Sequence, residues 1–229
     1  MERLSIRSFL ANGHEYHLYV YGEVAGIPPG TVVKDGNELL PASEIFRCKE
    51  YLTFALFSDF FRYKLLLEKG GWWCDLDVVC LKFFDFSEDH VFATQYDLLG
   101  SDTAERITEV ATNGIIKAPR RSEVLNYAWS VCSSKDRQAL RWGDTGPELM
   151  QECVRKFSLA NNVRRASTFC PIPPVRFFDA LLPNRWLRFD EETYAVHLWH
   201  EMWRRNGIDV NEAYVSNCCY ERLKTIYLP

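Results

Sequence analysis

Apolar and polar positions along the chain change period several times, and each change marks an element. Residues 2–12 set Leu4, Phe9 and Leu10 among charged positions, with Gly13 as a stop, which predicts a short helix. EYHLYVYG, residues 15–22, alternates and is β-prone, so a strand follows. GIPPGTVVKDGNELLP, residues 26–41, is broken by Pro28-Pro29, Gly30 and Gly36 and reads as turn and loop. FSDFFRYKLLLEK then carries a helix to Lys69, with Ser58 and Asp59 as candidate caps and Gly70-Gly71 as its terminator.

Beyond it, an apolar strand at 77–82 is followed by strand candidates HVFATQY and NGIIKAP, then helices in SEVLNYAWSVC and GPELMQECVRKF. PIPPVRFFDALLPNRW, residues 171–186, is proline-rich and irregular, and YAVHLWHEMWRRNG closes the pattern. Strands alternating with helices predict an α/β fold with a largely parallel sheet, in one domain over residues 1–229.

Composition narrows the function classes. With 47% hydrophobic and 14% aromatic residues a large core is available. A net charge of −4 argues against a nucleic-acid partner. No apolar run has the length of a membrane span, and MERLSIRSFL lacks the apolar core of a signal peptide. Eight dispersed cysteines without a CxxC pair point to free thiols in a reducing cytoplasm.

The chemistry concentrates in KGGWWCDLDVVCL. Taken as an extended tripeptide, Asp75-Leu76-Asp77 puts both carboxylates on one strand face with Leu76 turned to the core. Two anions side by side call for a cation, and a hard divalent ion such as Mn²⁺ or Mg²⁺ suits oxygen ligands shared with phosphate. The plain alternative is a solvated acidic turn. DLDVV also fits the DxDx(T/V) pattern of haloacid-dehalogenase-type phosphatases, whose first aspartate is a nucleophile. Those aspartates follow a buried strand, whereas here the apolar run comes after, so that reading ranks lower. On the preceding helix Asp59 and Arg62 are neighbours, either as a structural ion pair or as a carboxylate for sugar hydroxyls beside its guanidinium.

FSDFFRYKLLLEKGGWWCDLDVVCL closely resembles the core of the DxD-containing glycosyltransferases of family 32. These are relatives of capsular-polysaccharide transferases and of the glucosyltransferase domain of large clostridial toxins. LSIRSFLANGHEYHLYVYG, NGIIKAP, RWGDTGPELM and AVHLWHEMW resemble further segments of the same family in the same order. The resemblance implies a GT-A-like fold, a Rossmann-like mixed sheet flanked by helices, that takes a nucleotide-sugar donor and Mn²⁺ or Mg²⁺. It implies metal ligation by Asp75, Asp77 and His197, with His200 as a nearby decoy. Donor contacts are implied for Asp59, Arg62, Trp73, Asp75, Asn113 and Trp199. Asp144, alternatively a helix cap, is the carboxylate for acceptor orientation, so Asp144, Asp59 and Arg62 form the implied catalytic set.

The resemblance also implies transfer of a hexose, from a UDP-sugar, to a glycan or glycolipid hydroxyl with retained configuration. A non-catalytic sugar or nucleotide-sugar binder is the alternative. Family members begin with an apolar strand that this chain lacks, so a bare sheet edge is expected, either covered by a second copy or lowering solubility. The aromatic and basic LWHEMWRR is expected to meet a lipid-linked acceptor at the inner face of a membrane.

Overall fold

Helix α1 (Glu2–Ala11) buries Leu4, Ile6 and Phe9, and β1 (His17–Val20) follows it. The computed structural model describes residues 1–49, 51–99, 106–184 and 189–228, with backbone alone at 97–99 and 106–108. Within the expected loop lies β2 (Val32–Asp35), parallel to β1 in the register His17↔Val32. The β-branched Thr31-Val32-Val33 run forms a strand despite its proline and glycine neighbours.

Helix α2 (Ala55–Lys69) begins one turn earlier than expected. Ser58 and Asp59 therefore lie inside it, and its N-terminus has no side-chain cap. Its end is as the glycines predict: Gly70 takes φ +70°, and its N–H donates to the Leu66 carbonyl.

The remaining strands are β3 (Gly71–Cys74), β4 (Val78–Cys80), β5 (Val91–Leu99), β6 (Arg106–Ala118) and β7 (Ala195–His197). The helices that alternate with them are α3 (Glu123–Ser134), α4 (Pro147–Lys156), the short α5 (Ala166–Phe169), α6 (His200–Arg205) and α7 (Cys219–Tyr227). The proline-rich stretch forms a 3₁₀ segment, Pro174–Leu181, and its last two residues, Arg185 and Trp186, lie outside the described residues.

The chain is mixed α/β, as expected, but the pairing differs. Among the described strands only β1–β2 is a parallel pair, while β3–β6–β5 and β4–β7 are antiparallel. A parallel pairing needs a crossover of a dozen or more residues, and only residues 100–105 separate β5 from β6.

Apolar side chains gather in two cores. One packs α1, β4, β7 and α7 around Leu4, Val79, Phe169, Val196 and Trp203. The other packs α2, α3 and α4 against β6 through Phe60, Leu66, Ile116, Leu125 and Met150. The acidic DLD stretch lies where the two cores meet, between β3 and β4. Among the described residues no helix is long and apolar enough to cross a membrane.

The α2 terminus gives a direct test of this packing. A Cβ added at Gly70 would meet the Arg120 backbone nitrogen at 2.5 Å, and φ is in the left-handed region besides. Gly70→Ala is expected to lower the unfolding free energy by about 2 kcal/mol or more, measured by urea titration. A change under about 0.5 kcal/mol would show that the α2–β3 corner adjusts freely.

Candidate metal and donor site

Helix α2 supplies the floor of the site. Asp59, Arg62, Tyr63 and Leu66 share one face at helical spacing, and all four are buried. Arg62 is the centre of the polar part. Nη1 donates to the Asn113 carbonyl at 2.7 Å and lies 3.5 Å from Asp59 Oδ1, while Nη2 reaches Asp75 Oδ1 at 3.0 Å. Asp59 in turn accepts from Asn113 Nδ2 at 2.7 Å and from the Thr145 hydroxyl at 2.8 Å. The Tyr63 hydroxyl donates to the Thr145 carbonyl at 2.7 Å, fixing the 141–146 loop over the helix.

A bulge in β6 makes the middle layer. Between the pairs Phe92↔Ile116 and Thr94↔Ala111, β5 advances two residues while β6 advances five. β3 pairs no further than Cys74↔Ile115, so Thr112, Asn113 and Gly114 leave both ladders. Their polar backbone groups turn to the site instead: Asn113 O receives Arg62, and Gly114 O receives the Asp75 N–H at 2.9 Å.

The acidic tripeptide differs from the extended form expected of it. Asp75, Leu76 and Asp77 form a tight turn between β3 and β4, closed by the Val78 N–H on the Asp75 carbonyl at 3.1 Å. Leu76 is 40% exposed at its apex and not in the core. The two carboxylates converge because the turn folds them together, not because they alternate along a strand.

His197, at the end of β7, completes the group. One ligand atom from each of Asp75, Asp77 and His197 falls within 4.8 Å of the others. His197 Nε2 lies 3.0 Å from Asp77 Oδ1, and its ring stacks on Trp199 at 3.8 Å between centroids. Asp77 Oδ2 accepts the backbone N–H of His200 at 2.8 Å, a contact set up by Trp199 in the left-handed conformation. His200 turns its ring toward Glu2, lines the larger cavity, and meets Asp77 through its backbone amide.

Burial raises the Asp59 carboxyl, an effect that Arg62, Thr145 and Asn113 partly offset. Burial also raises Asp75, where Arg62 opposes it and Asp77 adds to it. At Asp77 the penalty of burial is outweighed by His197 and by the His200 amide, so its carboxyl is held at about 2. Burial alone would pull the His197 imidazolium down, but the Asp77 carboxylate reverses this and raises it.

Two cavities meet here. The larger, about 760 Å³, is walled by aromatic residues including Tyr19, Tyr21, Phe57, Phe61 and Trp73. The smaller, about 290 Å³, includes Asp59, Asn113, His197 and Trp199 in its wall. Ala55, Arg62, Asp75, Asp77 and Glu201 line both. Trp73 donates its indole N–H to Asp75 Oδ1 at 2.8 Å and sits under Arg62. The Trp199 N–H is committed to the Ile172 carbonyl at 2.7 Å, leaving its ring as the contact surface.

Eight of the nine residues singled out in the sequence are thus brought together, and Asp144 is not. Its Oδ2 accepts the Arg141 N–H at 3.0 Å, closing a turn before α4, and it lines neither cavity. Nor does it cap α4, whose N-cap is Gly146. Its neighbour Thr145, fully buried, reaches the site in its place. Charge drew attention to Asp144, while the hydroxyl beside it in the same GDTGP stretch carried no comparable signal.

A divalent ion fits this donor set. Asp75 Oδ1 is occupied by Arg62 and Trp73, and Oδ2 faces Gly114, where a Cβ would intrude to 3.0 Å. Two carboxylates and an imidazole suit a hard or borderline cation.

Residues 6–97 match the model of the family described as glycosyltransferase sugar-binding region containing DXD motif. The matched segment runs from within α1 through most of β5 and includes Asp59, Arg62, Trp73 and the acidic turn. Asn113, Thr145 and His197 join the same polar cluster from beyond the matched segment. Among solved structures, one titled PaToxG Glycosyltransferase is similar at a TM-score of 0.46 and 13% identity, over 68% of this chain and 63% of that one. The chain thus spans less than two thirds of that structure's length. No curated protein matches.

The Asp77–His197 pair sets a pH window for metal-free protein. Asp77 is depressed below its ordinary value, so its contribution is present above about pH 4 and lost as pH falls toward 2. His197 is raised, so its contribution is full below about pH 6.5 and lost only as pH climbs through the raised value. In chelator-treated samples, Asp77→Asn is expected to cost on the order of 2 kcal/mol at pH 6, with the gap to wild type narrowing below about pH 4 and closing only as pH falls through about 2. Denaturant unfolding across pH reads this directly, and a gap independent of pH would contradict the ion pair.

Proposed function

We propose that the protein is a metal-dependent glycosyltransferase. In this reading it moves a hexose from a nucleoside diphosphate sugar, a UDP-sugar, to a glycan or glycolipid hydroxyl with retention. The observation that carries the reading is the acidic corner shared by two cavities of different size. A nucleoside suits the larger, aromatic-walled cavity, a hexose suits the smaller one beside Asp59 and Asn113, and the diphosphate between them would lie over Asp75, Asp77 and Arg62. The GT-A-like arrangement expected from the sequence accords with such a division.

Asp75, Asp77 and His197 would hold Mn²⁺ or Mg²⁺, which when bound neutralises charge gathering on a leaving diphosphate. Arg62 adds a fixed positive charge at the same corner, already oriented by Asp75, Asp59 and the Asn113 carbonyl. Asp59 and Asn113 present a carboxylate and an amide to donor-sugar hydroxyls, with Thr145 and Tyr63 holding them in place. Glu201 lines both cavities and is engaged by Arg204 and Arg205. Among the described residues of the smaller cavity's wall every carboxylate already has a partner, which accords with retention. The sugar-binding-region match favours glycosyl transfer over the phosphatase reading.

The decisive experiment measures donor cleavage with Mn²⁺ across a panel of nucleotide sugars. Cleavage of at least one donor is expected, with Asp59→Asn slowing it at least tenfold, about 1.4 kcal/mol in barrier, at a temperature well below the variant's own thermal midpoint. Absence of cleavage by wild type with every donor, alongside intact UDP binding, would leave the binder reading instead.

Gly114→Ala tests the cation corner without replacing any of the proposed ligands. Its Cβ would approach Asp75 Oδ2 at 3.0 Å and His197 Cε1 at 3.1 Å. Calorimetric titration with Mn²⁺ is expected to show affinity reduced at least tenfold in a protein that still unfolds cooperatively. Equal affinity would move the cation elsewhere.

A further inference from the structure

At the mouth of the smaller cavity three side chains are stacked. The Arg205 guanidinium lies 3.6 Å from the centroid of the Tyr51 ring and 4.6 Å from that of Trp142, and the two rings meet edge to face. Arg205 Nε also donates to Glu201 at 2.8 Å, which fixes the fork in place. Trp142 and Arg205 both line the cavity, and the Trp142 indole is 39% exposed. The exposed remainder of the indole, in the cavity wall, is free to meet a ligand's apolar face.

Under the proposed function, on which this inference rests, position in the site decides what Trp142 meets. The donor's nucleoside leaves through the larger cavity, across the shared wall of Arg62, Asp75 and Asp77. Whatever attacks the donor sugar then approaches from the side of the smaller cavity, whose wall includes Trp142 and Arg205. An aromatic face beside a guanidinium–carboxylate pair suits a pyranose ring, whose C–H face packs on the indole while its hydroxyls bond to Arg205 and Glu201. A hydroxyl-bearing side chain of a protein acceptor would have no use for so broad a ring next to those polar groups.

We infer that Trp142, Arg205 and Glu201 form an acceptor subsite, and that the acceptor presents a pyranose ring to it. In the transfer the acceptor hydroxyl oxygen forms the new bond to the donor's anomeric carbon, the bond from that carbon to the phosphate oxygen breaks, and the hydroxyl proton leaves with the diphosphate.

Two measurements test this. The first is saturation-transfer NMR on the full chain with Mn²⁺ and UDP, using methyl glucoside, methyl galactoside, methyl N-acetylglucosaminide and a tyrosine-containing peptide as probes. At least one glycoside is expected to receive saturation from wild type, to lose it in Trp142→Ala and to regain part of it in Trp142→Phe. The second measurement is steady-state transfer to that glycoside, where Trp142→Ala is expected to raise the acceptor KM at least tenfold and the donor KM less than twofold.

Equal glycoside binding by wild type and Trp142→Ala, preferential binding of the peptide, or a donor KM that rises with the acceptor KM would each overturn the subsite. Failure of the underlying function is separable. It would appear as no donor cleavage by wild type, while the glycoside-binding arm still reads the subsite on its own.

Discussion

Arg62 is the one cation around which the site is assembled. It is buried on α2, and removing a guanidinium from water is tolerated only when its donors are answered closely. Here the two terminal nitrogens are answered from three separate parts of the chain, Asp59 on the same helix, Asp75 in the turn after β3, and the Asn113 carbonyl in the β6 bulge, while Nε is buried without a partner. The guanidinium therefore fixes the relative positions of helix, turn and strand. The carboxylates that surround it are kept together despite their mutual repulsion, and the second pair, Asp77 with His197, extends the same alternation of charge toward β7.

Much of this was legible in the sequence, for reasons that can be named. The α2 helix and its glycine stop were readable because apolar spacing and Gly70 each point to the same boundary. Asp59, Arg62, Asp75, Asp77, Asn113 and His197 were found because the resemblance runs through charged or amide residues in ordered motifs. Spacing alone could not identify the turn at Asp75–Asp77, since a three-residue acidic stretch before an apolar run fits strand and turn equally. The β6 bulge sends no signal at all, because it arises from how many residues β5 and β6 each use between shared pairs. Thr145 was missed beside Asp144 for a related reason: loop direction, not residue type, decides which of two adjacent polar side chains faces inward.

The antiparallel character of most described pairings has the same origin. Alternating helix and strand signals describe order along the chain, whereas pairing depends on which strands can reach each other. β7 returns from near the C-terminal end to pair with β4, bringing His197 beside Asp77 over a separation of 120 positions. That closure contributes nothing to local pattern, yet it supplies the third ligand-bearing side chain of the corner.

Several of the contacts that hold the acidic turn are made by main-chain atoms: the carbonyls of Asn113 and Gly114, the Asp77 carbonyl on the Leu198 N–H, and the N–H of His200. Substitution can alter side chains but leaves these groups in place, so this part of the framework is robust to amino-acid replacement. Its vulnerability is to change in chain length. A single residue gained or lost between Ala111 and Ile115 would slide the carbonyls past their partners while leaving every named side chain present in the sequence. Two chains carrying all the same charged residues could therefore differ completely in whether those residues meet.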